Sequence, residues 1–372
     1  MQTLMVPGSR PSTSLGTALS LPKGRFPVSG WFFVLVLLAS ASPAAAAVTL
    51  RGIVPEDGPR TGWFERYAEA RQGPEQVEKF TQSYKVGDGA ALDLSHLSGD
   101  IRVTGGSGAE IRIDATKRVR HRDPEEAKRL LAALRIDVNN FNGRVEVRTI
   151  YPRRGSYGNN VSASVDYVIA VPAAATVSLK SISGDISVAS VRGEVRAETV
   201  SGDVNISAAP NVAIAKTISG DVTAQNVGAE ATLVLSTISG TVLGTGLKVR
   251  ALEAGTVSGD VRLTGLAVER LEAKSLSGSI EFEAPLAKGG RYEFTSHSGN
   301  VRITLSGNTG FELDADTFSG SVRSDVPVTL RSVGQTGQNR RGSNRAIRGS
   351  YGDASAFLSV RSHSGSVVIA KK

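Results

Sequence analysis

The chain has 372 residues, 40% of them hydrophobic, 5% aromatic and 21% charged, with 41 glycines, no cysteine and a formal charge of +8. That apolar fraction is too high for a disordered chain, and the length suffices for several domains or one long repeat array. Zero cysteine excludes a disulfide framework, thiolate metal sites, a cysteine nucleophile and a lipid-modified N-terminal Cys.

Residues 31–39, from Trp31 to Ala39, form an uninterrupted apolar run preceded by Lys23 and Arg25. Ala45 and Ala47 place small residues where a signal peptidase pocket admits them, so residues 1–47 read as a signal peptide cut before Val48. The run is shorter than the ~20 apolar residues that span a bilayer. No second such stretch follows, so no transmembrane segment is expected after cleavage. Removing Arg10, Lys23 and Arg25 leaves +5, a balance that points to no nucleic-acid partner. Residues 48–74, rich in Gly, Pro and charge, read as a flexible leader with a short helix around Trp63–Arg71.

Residues 75–172 read as an irregular N-terminal β module. Glu110–Lys117 alternates like a strand. Asp123-Pro124-Glu125-Glu126 supplies an N-cap, an N1 proline and a capping-box acid, opening an amphipathic helix over 124–135 with Leu130, Leu131 and Leu134 on its apolar face. Asn142-Gly143 is a hairpin turn leading into Val145–Ile150, and Val161–Val171 is a further strand. The module is expected to cover the open end of the array that follows.

That array is announced by Ser-Gly-X followed by Ile or Val. It occurs first at Ser98, then at Ser183, Ser201, Ser219, Ser239, Ser258, Ser277, Ser298 and Ser319, and last at Ser364. Gly184, Gly202, Gly220, Gly240, Gly259, Gly278, Gly299 and Gly320 are 18 to 21 residues apart, and Gly365 follows after 45. Apolar residues alternate with polar ones on both sides, as in Leu233 and Leu235 before one corner and Val261 and Leu263 after another. Period-2 alternation means strands with one buried face, and a ~20-residue period means each repeat hides that face by stacking on the next. The expected fold is therefore all-β. It is a single-stranded β-solenoid over 173–372, with glycine at each tight corner and ~4.8 Å between coils, about 50 Å long for ten coils. A β-sandwich is the structural alternative. The last long interval holds a basic loop, 334–352.

These features together resemble the exported bacterial β-strand-repeat family labelled "putative adhesin", a domain of unknown function, over roughly residues 76–372. The resemblance rests on the Ser-Gly-Asp-Val corners, Ala115-Thr-Lys-Arg118 before the Asp-Glu-Glu helix, Val165–Pro172 and the late Arg/Gly insertion. It implies a solenoid-like exported protein and supplies no catalytic residues.

Candidate chemistry is sparse. Asp100, Asp185, Asp203, Asp221 and Asp260 could line one edge as a calcium site, but Thr241, Ser279, Asn300 and Ser321 fill the same position, which favours turn chemistry. His297 and His363 are expected two or three coils apart, too far to share a metal; His96 and His121 complete the histidines. Glu281 and Glu283 share one strand face, an ordinary solvated pair unless a glycan groove lies there. Arg340, Arg341, Arg345 and Arg348, with Arg153 and Arg154 elsewhere, could touch an anionic surface. No metal, cofactor or catalytic set is assigned. The sequence reads as an exported non-enzymatic scaffold or binding module, periplasmic, cell-surface or secreted, whose partner is an envelope protein or polysaccharide. An envelope-stress regulatory protein and a carbohydrate-active enzyme are the alternatives.

Overall fold

The structure, a computed structural model, describes residues 74–87, 89–152, 162–330 and 345–372. The expected signal peptide, nearly all of the leader with its Trp63–Arg71 helix, Arg153, Arg154, Arg340 and Arg341 lie outside them.

In chain order the opening elements are β1 Glu75–Lys85, β2 Ala91–Ser95, β3 Ile101–Gly106, β4 Glu110–Arg120, α1 Pro124–Ala133, β5 Arg135–Phe141, β6 Arg144–Ile150 and β7 Ser162–Pro172. Regular rungs follow: β8 Thr176–Lys180 with β9 Ile186–Ala189, β10 Val195–Glu198 with β11 Val204–Ser207, and β12 Val212–Lys216 with β13 Val222–Gln225. Then come β14 Gly228–Ser236 with β15 Val242–Thr245, β16 Lys248–Ser258 with β17 Val261–Thr264, β18 Ala267–Ser277 with β19 Ile280–Ala284, and β20 Arg291–Ser298 with β21 Val301–Leu305. The chain closes with β22 Phe311–Ser319, β23 Val322–Ser324, β24 Thr329–Leu330, β25 Arg345–Tyr351, β26 Ala356–Ser364 and β27 Val367–Lys371.

Each rung gives one strand to a 13-stranded sheet and one to a 14-stranded sheet, so the fold is the expected two-faced β-solenoid. Rung-to-rung pairing is parallel and in register: Val204 lies opposite Ile186 and Val222, Val261 opposite Val242 and Ile280. These valines are fully buried, as is Val301. The inward residues of both sheets thus share one core, and the alternation read from sequence is the alternation of the pleat.

The Ser-Gly corners link the two sheets on one edge. Their glycines have φ from +123° at Gly99 to +159° at Gly320. Steric crowding adds to this: a Cβ on Gly259 would lie 2.0 Å from the carbonyl oxygen of Gly240 in the preceding rung. Beneath most corners a Ser or Thr hydroxyl two residues before the Ser donates to a glycine carbonyl, as Thr217 Oγ1 does to Gly202 O at 2.9 Å and Thr237 Oγ1 to Gly220 O at 2.9 Å. The opposite edge turns without that motif. There Ser190, Ala208 and Asn226 adopt left-handed backbone, and Gly246 and Gly265 do so in the next two rungs. The residue after each is a buried aliphatic such as Val191, Val227 or Leu247, which pins the turn to the core.

Two departures from chain order shape the ends. β26 and β27 insert between the β20/β21 and β22/β23 rungs: Leu358 pairs with both Tyr292 and Leu313, and Val367 with both Val301 and Val322. β25 runs back antiparallel along β22 and closes the outer side. At the other end, β6 stacks parallel under β2 and β7 under β3, forming an eleventh rung that has no Ser-Gly. Its corner signature is split. Val145-x-Val147-x-Thr149-Ile150 matches Leu233-x-Leu235-x-Thr237-Ile238, and Asp166-Tyr167 stands where Asp-Val follows a glycine elsewhere. The Tyr151 hydroxyl fills the missing corner, donating to Ser98 O at 2.9 Å and accepting from Ser98 N at 3.1 Å. Beyond this rung the antiparallel strands β1 and β4 continue one sheet and β5 the other. Helix α1 packs against β1 and β4 through Ala127, Leu130 and Leu131. It is capped by Asp123, which accepts from Glu125 N at 2.9 Å, and it stops two residues short of 135 because Leu134 is already extended (φ −77°, ψ 103°).

Two glycines separate backbone strain from close stacking. Gly220→Ala meets both a φ of +142° and the Gly202 carbonyl at 2.2 Å; it should cost on the order of 3 kcal/mol or more. Gly246→Ala, at φ +65° and facing only the mobile tip of Asn226, should cost ~1 kcal/mol. Urea unfolding of the two variants should show this order, with Gly220→Ala much the weaker.

Candidate binding surfaces

The aspartate row is structural. Asp203 Oδ1 accepts from Asp221 N at 2.8 Å, Asp185 Oδ1 from Asp203 N at 2.8 Å, and Asp221 Oδ1 from Thr241 N at 2.7 Å. Asp260 serves Ser279 N, and Asn300 Oδ1 does the same for Ser366 N at 2.9 Å. Each side chain therefore satisfies the backbone N–H of the next rung's corner, which explains why an amide replaces a carboxylate without loss. Asp166 begins the ladder, accepting from Asp100 N at 3.1 Å while paired with Arg118. The Ser-Gly-X spacing could not reveal Asp166, because the corner it belongs to is interrupted.

Of the four arginines of the basic loop, Arg340 and Arg341 lie outside the described residues. Arg345 and Arg348 lie on β25, and the Arg348 guanidinium bonds Asp314 on β22 at 2.9 Å, which raises its pKa further. Glu281 and Glu283 do share an outer face; Glu281 pairs with Arg262 at 3.5 Å and Glu283 with Lys372. The Arg262 and Lys372 cations thus neutralise both acids.

The histidines depart from expectation. His297 and His363 are adjacent, not two or three coils apart, because the C-terminal rung inserts between its sequence neighbours. Their rings stack at 4.7 Å, and Phe318 continues the stack beyond His363 at 4.9 Å. Among the described residues no group of three or more His, Asp or Glu side chains is placed to hold a metal. His96 is buried between the first Ser-Gly rung and the split rung below it. Its Nδ1 lies 3.2 Å from Thr149 Oγ1, which in turn lies 2.7 Å from the Tyr167 hydroxyl. Burial lowers the His96 pKa to about 4, against the raising influence of Asp166 and Asp100, and pushes Tyr167 up to about 12.

Two surfaces repeat with the rungs. The outer face of the 13-stranded sheet carries Arg102, Ser187, Asn205, Thr223, Leu243 and Arg262 in one register row, with Thr104, Ala189, Ser207, Gln225, Thr245 and Thr264 in the parallel row beside it. Short side chains at Ser187 and Ala189 lie between longer neighbours. They leave a shallow trough of about 330 Å³ bordered by Arg102, Thr104, Asn205, Thr223 and Gln225.

The second surface runs along the Ser-Gly edge. The residue just before the corner serine is apolar and turned outward in most rungs, and a histidine in two. Ile182, Val200, Ile218 and Ile238 form the middle of this ridge, with Ile150 and Leu97 at one end and Leu276, His297, His363 and Phe318 at the other. The large hydrophobic side chains among them are 42–54% exposed. The signal was present in the sequence, but the reading of buried alternation stopped at inward positions.

The architecture and its corner chemistry define a two-sheet β-solenoid of stacked Ser-Gly rungs. The chain belongs to the Toastrack DUF4097 family, which it matches over residues 91–370. Among solved structures it is similar to a putative adhesin from Bacteroides fragilis NCTC 9343, at 12% identity over 78% of this chain and 97% of that one, with a TM-score of 0.37. A putative adhesin from Parabacteroides merdae ATCC 43184 is 13% identical over 61% of this chain and 89% of that one, TM-score 0.33. A putative lipid binding protein from Parabacteroides distasonis ATCC 8503 is 10% identical over 79% and 96%, TM-score 0.32. No curated protein matches the chain.

The corner ladder and the buried histidine each predict a measurable stability change. Asp203→Ala, which strands the N–H of Asp221, should cost about 1–2 kcal/mol, and Asp203→Asn should recover most of it; chemical denaturation compares the two. A neutral buried His96 lets the unfolded chain bind a proton that the folded chain refuses. Its stabilising effect is complete above pH 6.5 and is lost as pH falls toward 4, by about 3 kcal/mol in all. His96→Thr, the residue at the same place in later rungs, should flatten that part of the stability–pH profile. A variant as acid-sensitive as the parent over pH 4–6.5 would remove His96 from the account.

Proposed function

We propose that the chain is a non-catalytic binding module that acts at the cell envelope after export and recognises a polar polymer, a polysaccharide or an extended protein segment. The observation that carries this reading is the pair of in-register, largely polar rows on the 13-stranded sheet, with the trough over β3, β9, β11 and β13. Hydroxyl, amide and guanidinium groups repeat there at the ~4.8 Å strand spacing, so a polymer lying across the strands meets a donor or acceptor at every rung. Each such bond adds only ~1 kcal/mol net, so affinity accumulates along the rungs and does not come from one deep pocket. The export part of the reading is supported by the basic-then-apolar N-terminal run ending in Ala45 and Ala47.

A glycan array together with pull-down on the purified protein tests this. Asn205→Ala combined with Gln225→Ala, both at exposed positions, should weaken the captured ligand by ~10-fold while leaving the melting temperature unchanged. Glycan turnover that disappears on replacing Glu281 or Glu283 would overturn the non-catalytic reading.

A further inference from the structure

The apolar ridge on the Ser-Gly edge lies outside the shared core, its large hydrophobic side chains about half exposed. It is also long. From Ile150 to Phe318 it crosses eleven rungs, or about 48 Å at the strand spacing. A continuous apolar strip of that length exceeds what single exposed aliphatics on a monomer account for.

The charges on either side of the ridge differ in sign. Toward the 13-stranded sheet runs the row of Asp100, Asp185, Asp203 and Asp221; toward the 14-stranded sheet stand Lys180 and Lys216 on the rungs of Asp185 and Asp221, with Glu198 between them. This asymmetry selects an occupant. A bilayer would meet the acidic row as its apolar groups entered the interface, and an anionic one would be repelled by it. A second copy of the same ridge fits without that penalty in one of two orientations. With the two rods antiparallel, each acidic flank lies along the other's acidic side. With the rods parallel, about a two-fold axis running along them, the acidic flank lies over the other copy's lysines at the rungs of Asp185 and Asp221, and only Asp203 between them faces an acid, Glu198. Asp185 then faces Lys180 of the second copy, and Asp221 faces its Lys216. The repeat distance of the two ridges is identical, so their side chains stay in step along the whole contact. A strip about 48 Å long and ~15 Å wide covers roughly 700 Å² on each copy, in the range of a standard stable interface.

We propose that two copies of this chain associate ridge to ridge, in parallel, through the outward aliphatic residue that precedes each corner serine.

Analytical ultracentrifugation of the full mature protein tests this. The parent should be dimeric at tens of micromolar, and Ile218→Asp should weaken association at least tenfold without changing the circular dichroism or melting temperature, because Ile218 is exposed. The natural absence of cysteine makes orientation directly readable. Ile182→Cys and Leu276→Cys, each alone and far from one another, should both give disulfide-linked dimers on mild oxidation. The parallel arrangement brings every rung opposite itself, and the antiparallel one brings only the central rung opposite itself. A parent that stays monomeric to millimolar concentration, a dimer indifferent to Ile218→Asp, or cross-linking at neither position would overturn the proposal. So would a monomeric parent that floats with phosphatidylcholine vesicles through Ile218, which would assign the ridge to a membrane. Glycan capture through Asn205 and Gln225 is read separately, so either proposal can fail alone.

Discussion

The backbone contact at the Ser-Gly corner governs the rest of the molecule. Successive glycines approach so closely that a methyl group on one would occupy the carbonyl oxygen of the next: the distance is 1.9 Å at Gly278 and 2.3 Å at Gly202. That approach keeps the rungs in register along one edge, so the inward valines and isoleucines of neighbouring rungs meet without offset. The corner also carries backbone polar groups that need partners, and two devices recur there in most rungs. A Ser or Thr hydroxyl from beneath takes a glycine carbonyl, and an Asp or Asn side chain takes the next corner's N–H. The core is ordinary aliphatic packing; the corner is what allows only one stacking.

Much of this was legible because the corner motif is compact. Gly, with its positive φ, and a short polar residue after it occur within four residues, so their spacing displayed the period directly. What was missed was spread out or inverted in chain order. The split rung divides its signature between Thr149-Ile150 and Asp166-Tyr167, and Tyr151, not glycine, occupies the gap. The insertion of β26 and β27 leaves every local pattern unchanged while altering which rungs touch, so His297 and His363 were assigned a separation the fold abolishes. The second edge carries no common residue at all: Ser190, Ala208 and Asn226 reach the same left-handed geometry as Gly246, and the tertiary hold of the aliphatic residue that follows replaces local preference.

The same split separates what the surface shows from what pattern reading noticed. Period-2 alternation identifies inward residues and says nothing of what the outward ones share. On the 13-stranded sheet, treating them as polar is sound, since Asn205 and Gln225 are polar and exposed. On the corner edge it is not, since Ile182, Val200 and Ile218 are apolar and outward in successive rungs. At Arg348 the fold adds a partner that charge density in the sequence does not show: β25 lies antiparallel along β22 and sets the guanidinium against Asp314, where the cation serves the sheet.

In a stacked fold, one outward position is multiplied by the number of rungs. A single exposed isoleucine is neutral on a globular surface, but in register it becomes a line whose length is fixed by the core beneath it. The core constrains only the inward set and the corner, so outward positions are free to vary among Ser, Asn, Thr, Leu and Arg, as the row from Ser187 to Arg262 does. The position before the corner serine is not varied in this way. It is aliphatic in every rung from Ile150 to Leu276 and turns to stacked rings only at His297, His363 and Phe318. Restriction where the fold imposes none is the mark of a surface with work outside the core, and it sets that edge apart from the polar sheet face as a second and separate contact.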